Sequence, residues 1–209
     1  KIAALYSLHE IECYLNDLFF FNRSLAGEEN RKTLNYIKKN IPLKIKSFKS
    51  GSKVFGWSVP KEWKLKKGYI ADHFGKKIID FKNNNLHVAS YSQPIKKKLT
   101  ISELEKKIFT HKIYEAIPYR TLYYKKDWAF CLSYQDFLSL PDGNYKVFID
   151  AEHTKGELRL IEAIVPGESK KEIFFSSYLC HPSMANNELS GPVLLNQILN
   201  FVKTFKNRH

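Results

Sequence analysis

The sequence predicts an α/β chain with a small β-rich module in its middle. Three observations carry that reading. Two helical stripes come before Pro42. Short alternating apolar runs follow from Leu43 to about residue 142. A strand, a polar loop and a helix then cover residues 172–205, the arrangement that places ligands at the carboxyl ends of strands in open α/β sheets.

The elements follow in order. From Ile2 to Phe21 the apolar positions Leu5, Leu8, Ile11, Leu15, Leu18 and Phe19 fit a helical stripe. A second helix is expected over Glu28–Asn40, with its acids at the N-terminal end, where the helix dipole favours anions, and Pro42 as its stop. Strands are expected at 44–48, 54–59, 68–72, 77–81 and 86–91, with Asn83-Asn84-Asn85 as a turn. A helix over 102–109 has Ser102 as N-cap and Glu105 completing a capping box. Further strands are expected at 120–124 and 129–132, then a short helix at 134–139 and the turn Pro141-Asp142-Gly143. Strands at 145–150 and 156–165 lead to 172–179, a run apolar on both faces, as in a sheet covered by helices on both sides. The last helix runs from Pro192 to Phe205, with Val193, Leu194, Ile198, Leu199, Val202 and Phe205 directed inward.

Composition narrows the class. The 209 residues are 44% hydrophobic and 14% aromatic, enough for a sizeable core and against long disorder. No apolar run reaches 18 residues, which argues against a membrane span. The short run Leu18–Phe21 follows Glu10, Glu12 and Asp17, unlike a signal peptide. The three cysteines, Cys13, Cys131 and Cys180, form no CxxC pair. They read as small buried hydrophobes in a reducing, cytoplasmic chain. The net charge is +13, and residues 31–70 hold twelve basic side chains against the single acid Glu62. Lysine greatly outnumbers arginine, which argues for a solvated surface and against specific nucleic-acid readout.

The chemistry concentrates in Cys180-His181-Pro182-Ser183-Met184-Ala185-Asn186-Asn187-Glu188-Leu189-Ser190-Gly191. A histidine directly after a strand is well placed to ligate a metal, and an oxygen from the same loop could join it. On spacing alone, a structural turn at His181-Pro182 and a helix cap at Asn187 are the simpler account.

This stretch resembles the zinc-exopeptidase superfamily of aminopeptidases, in which a His after a central strand and an Asp in an Asn-Asp-x-x-Ser-Gly-like loop bind zinc. The whole chain resembles a bacterial aminopeptidase-like family with an inserted small β-rich domain. The landmarks are Arg23-Ser24-Leu25-Ala26-Gly27-Glu28, Trp57-Ser58-Val59-Pro60-Lys61-Glu62-Trp63, Leu86–Ser92, Ile117-Pro118-Tyr119-Arg120, Trp128–Ser133 and Cys180-His181-Pro182-Ser183. The resemblance implies part of a zinc-exopeptidase-like open α/β sheet over 1–45 and 143–209, with the insertion at 46–142. It implies His181 as the first zinc ligand. Asn187 falls where such aminopeptidases carry the Asp that bridges two metals. A neutral amide lacks that charge, which counts against a two-ion site; one or two zinc ions stay open, and the neighbouring Glu188 becomes a candidate carboxylate. The resemblance places the general base beyond residue 209, so the chain is expected to be an amino-terminal half without peptidase activity of its own.

The implied function is a zinc-dependent aminopeptidase-like hydrolase acting on a peptide-like or amino-sugar substrate. The alternative is a non-catalytic protein of the same fold that binds or modifies such a group in surface-polysaccharide pathways. A homo-oligomer is compatible with either. Other residues carry less. Trp57, Trp63 and Trp128 read as packing rather than a sugar platform. His87 and His111 lack ligand-spaced partners. Arg120 reads as an internal ion-pair member. Ser190 has no nucleophile elbow around it. Glu162 and Asp150 read as ordinary strand acids.

Overall fold

A computed structural model describes residues 8–38 and 43–205. Its helices are α1 (Leu8–Phe19), α2 (Glu28–Lys38), α3 (Ile101–Glu105), α4 (Tyr134–Leu138) and α5 (Ser190–Val202). The strands are β1 (Lys44–Lys49), β2 (Lys53–Val54), β3 (Trp57–Ser58), β4 (Glu62–Ala71) and β5 (Lys77–Asp80). They continue as β6 (Ile95–Thr100), β7 (Ile108–Phe109), β8 (Phe130–Cys131), β9 (Asn144–Thr154) and β10 (Glu157–Glu162). A π-helical turn covers Ala185–Leu189, immediately before α5. The chain is α/β and divides into two compact units, one made of Lys1–Pro60 with Gly156–His209, the other of Lys61–Lys155.

The first unit is held by an apolar cluster of Tyr14, Leu18, Ile37, Leu189 and Val193, with Ile11, Leu15, Phe19, Ile161 and Leu179 packed against it. Helical periodicity explains the donors: Tyr14 and Leu18 are one turn apart on α1, as Leu189 and Val193 are at the start of α5. Each such side chain removed from water contributes about 1.5–3 kcal/mol. Strand β1 pairs antiparallel with β10, setting Lys44 opposite Glu162 and Lys49 opposite Glu157. Opposite charges facing each other across a ladder favour this register.

The second unit is built on an antiparallel sheet ordered β5-β4-β9-β6. Alternation in β9 buries Tyr145, Val147, Ile149 and Ala151, while Lys146, Phe148, Asp150 and Glu152 project from the other face. The buried face is tight at Gly68, where a Cβ would come within 2.5 Å of Val88 Cγ2. A second cluster joins Ala89, Leu122, Ala129 and Cys131.

The structure differs from several local expectations. The unit boundaries fall later than positions 46 and 142. The β1–β10 pairing draws residues 44–60 into the first unit, and the β4–β9 pairing draws 144–155 into the second. The capping box is Thr100 with Glu103, two residues earlier than Ser102 with Glu105, because Thr100 has the extended backbone of an N-cap and the helix begins at Ile101. At 120–124 the backbone makes an isolated bridge from Thr121 to Ser90 instead of a strand. Residues 172–179 lie outside any strand, and Ile173, Phe174 and Phe175 are 82%, 88% and 54% exposed. A strand buried on both faces needs neighbours on its edges and helices over it, and the described residues provide neither there. On α5, Leu194 faces outward and the buried positions are Val193, Asn196 and Gln197; the helix ends at Val202, and Phe205 lies exposed beyond it. Asn196 donates from Nδ2 to the Tyr14 hydroxyl at 3.1 Å, which explains how an amide is tolerated in that seam. The expectations for residues 1–7 and for Pro42 lie outside the described residues.

Candidate metal centre

The loop carrying His181 is clamped at alternate residues. Asn30 Nδ2 donates to Leu179 O at 2.7 Å, Arg23 Nε donates to His181 O at 3.0 Å, and Ser183 N donates to Phe19 O at 3.1 Å. Asn30 itself is fixed by Ser24, whose N–H it accepts at 3.1 Å and to whose carbonyl it donates at 2.7 Å. The segment between α1 and α2 thus forms the bed on which the loop lies. Ser183 has φ of +47°, a left-handed conformation that turns the chain sharply after Pro182.

From this bed the chain enters the π-turn. Leu189 N reaches back to Met184 O, and Ser190 N to Ala185 O, in the i→i+5 pattern. Such single turns recur at functional sites. Here it buries Glu188 to 1% exposure while Asn187 stays exposed. Glu188 Oε1 accepts the His181 backbone N–H at 2.8 Å, and Oε2 lies 3.0 Å from His181 Nδ1. Asn187 Oδ1 is 3.2 Å from the same ring nitrogen and accepts from the Tyr178 hydroxyl at 3.2 Å. The Tyr178 ring meets the imidazole edge-on, with centroids 5.5 Å apart.

The three sequence-named residues therefore come together, but not equivalently. Cys180 joins them: its sulfur, a His181 ring nitrogen and a Glu188 oxygen all lie within 4.8 Å of one another. Hydrogen bonding to Cys180 and to Glu188 favours the imidazolium and pushes the His181 pKa up to about 10, against the opposing effect of burial. Acceptors that hold a proton so firmly would also attract a cation. Thiolate, imidazole and carboxylate are the donors that zinc takes, at ~2.0–2.3 Å. The buried Glu188 Oε2, whose near neighbour is the His181 ring nitrogen at 3.0 Å, is placed to share an ion with that ring. The fit is one of donor chemistry and proximity.

Arg23 is the residue that sequence reasoning passed over. It is fully buried, donates from Nη1 to Leu18 O as well as from Nε to His181 O, and leaves Nη2 without a hydrogen-bond partner among the described residues. Burial lowers its pKa to about 10, and Glu188 is the leading charge acting against that fall, followed by Glu29 and Cys180. The available signal was its rarity: one of five arginines in a lysine-rich chain, set between two helices. Elsewhere, His87 is buried and donates from Nδ1 to Cys131 O at 2.9 Å, a structural contact. Trp63 is buried and donates to Ser92 O at 3.1 Å.

Residues 62–152 match a family described as "Domain of unknown function (DUF2172)". A Clostridium acetobutylicum protein, provisionally described as a polysaccharide biosynthesis protein with aminopeptidase-like domain, is 44% identical over 203 residues. Those residues are 96% of this chain and 46% of the relative. A crystal structure provisionally described as a peptidase from the same organism superposes with TM-score 0.89 and 43% identity, over 96% of this chain and 48% of that one. A zinc aminopeptidase from Bacillus subtilis matches in fold, with TM-score 0.51 and 12% identity, over 98% of this chain and 59% of that one. The chain spans about half the length of the relatives it matches. No helix among the described residues is long and apolar enough to cross a membrane. Residues 62–152 thus match the DUF2172 family, within an α/β fold shared with peptidase and aminopeptidase structures.

Proposed function

We propose that this chain contributes the metal-binding corner of a zinc-dependent, aminopeptidase-like hydrolase acting on a peptide-like or amino-sugar amide. The observation that carries the reading is the convergence of Cys180, His181 and the buried Glu188 carboxylate on a loop anchored to α1 and α2. Zinc bound there would polarise an amide carbonyl and acidify a water. The chain's own residues do the positioning: Glu188 fixes the His181 backbone, Tyr178 and Asn187 flank the imidazole, and Arg23 offsets buried negative charge.

The test is metal content and turnover of aminoacyl chromogenic substrates by the full-length protein. Bound zinc, lost in His181→Ala together with chelator-sensitive turnover, is the expected result. A zinc-free protein that cleaves at an undiminished rate would overturn the reading. A second reading, a non-catalytic protein that binds an amino-sugar or peptide-like group, is favoured by the exposed amide at Asn187 and by the polysaccharide biosynthesis role in the relative's description. Zinc bound without turnover on any amide substrate would favour it.

A further inference from the structure

Building on that reading, we infer that the ion is held by a thiolate, an imidazole and a carboxylate from Cys180, His181 and Glu188, as a single-metal centre with Asn187 outside the ligand set. Glu188 decides the metal count. A bridging carboxylate needs both oxygens for two ions about 3.5–4 Å apart. Oε1 accepts the His181 N–H at 2.8 Å, so an ion on that oxygen would compete with the bond that fixes the loop, while Oε2 is directed at the cluster. Asn187 cannot take over the bridge. It is neutral, exposed and engaged by the Tyr178 hydroxyl.

Charge points the same way. Arg23 is a buried cation whose leading electrostatic partners include Glu188 and Cys180. One divalent ion against a thiolate, a carboxylate and this guanidinium leaves a modest positive excess. A second ion would add two more charges beside a guanidinium that is itself buried.

Cys180 sets the metal preference. A tetrahedral zinc places its ligand atoms about 3.5 Å apart, so a cluster already within 4.8 Å needs a small side-chain adjustment to close. A sulfur donor selects zinc or cobalt over magnesium, calcium or manganese, which prefer all-oxygen shells. Cys180 would ligate as the thiolate, releasing its proton to solvent when the metal binds.

The experiment uses full-length protein stripped of metal and titrated with Co2+ and Zn2+. Expected are one ion per chain and a sulfur-to-cobalt charge-transfer band in the near ultraviolet, absent in Cys180→Ser. Zinc affinity should fall more than about 100-fold in Cys180→Ser and Glu188→Gln, beyond the 10–100-fold typical of an outer-shell partner. In Asn187→Ala it should stay within about that outer-shell range. A readout that needs no variant guards against misfolding: zinc should protect Cys180 of the unaltered protein from alkylation, as located by peptide mass. Metal bound with no sulfur band and no protection overturns this inference and leaves the zinc-hydrolase reading standing. Two ions per chain do the same. Failure to bind either ion overturns both.

Discussion

Replacing Arg23 with methionine keeps most of the side-chain length and removes the charge. The guanidinium donates to His181 O at 3.0 Å and also to Leu18 O, and it is fully buried. Each carbonyl would lose a charge-assisted bond worth about 1.5 kcal/mol, or about 3 kcal/mol together. Glu188, 1% exposed, would also lose the attraction of that buried cation. Release of the arginine's own burial penalty offsets part of this. The expected net loss is about 2–3 kcal/mol. Urea unfolding should be followed by far-ultraviolet circular dichroism, because the long helices α1, α2 and α5 all lie in this unit, whereas two of the three tryptophans, Trp63 and Trp128, lie in the other. Glu188→Gln in the Arg23→Met background should recover part of the loss, with a coupling above about 1 kcal/mol. A single-variant loss below about 1 kcal/mol, or strict additivity of the two, would refute the view of Arg23 as the counter-charge of the loop.

Cysteine labelling should separate Cys13 from Cys131. Cys131 is fully buried and its pKa is pushed up to about 12 by desolvation, whereas Cys13 is exposed. Native protein at pH 8 should label at Cys13 and spare Cys131 until it unfolds; early modification of Cys131 would contradict its burial. His87 gives a pH dependence. Burial holds its pKa below the ordinary value, against the raising effects of its bond to Cys131 O and of Asp136 and Asp80. A histidine whose folded pKa is depressed binds fewer protons in the native state. Stability is therefore complete above the unfolded value of ~6.5 and is lost as pH falls from there toward the folded value. The urea midpoint of the 61–155 unit should drop between pH 8 and pH 5, less so in His87→Gln; a midpoint that rises on acidification would be the wrong sign. Gly68→Ala would press a methyl to 2.5 Å from Val88 Cγ2, at a cost of about 1–3 kcal/mol. Pairing it with Val88→Ala should recover stability if the clash is the cause.

The sequence made the helices and the alternating strands legible because their periods are local properties. The acids of α2 and the alternation of β9 appear in the structure much as the pattern implies. The His181 loop was legible as chemistry because a histidine, an amide and a carboxylate fall within eight residues. What stayed hidden depended on partners distant in sequence. Arg23 meets His181 across 158 positions, and Asn30 meets Leu179 across 149. Nothing in the periodicity of either segment announces those bonds. Cys180 read as a small hydrophobe because no second cysteine is spaced for ligation, and it gains significance only beside the inward-turned Glu188. The segment 172–179 was misread for the opposite reason. Its apolar composition suits a central strand, but pairing depends on neighbours that composition does not specify.

The π-turn at Ala185–Leu189 bears on how this site could change over time. A turn of this kind holds one residue more than an α-helical turn, and each residue of helix advances the side-chain direction by about 100°. Glu188 is buried beside His181 while its neighbour Asn187 is in solvent, so the two occupy adjacent angular slots. Loss of a single residue from the turn would shift the frame and bring a different side chain to the inward slot, with every remaining amino acid unchanged. Relatives compared by aligned identity alone would conceal such a change. The length of this loop is as much a determinant of the chemistry facing His181 as the letters in it.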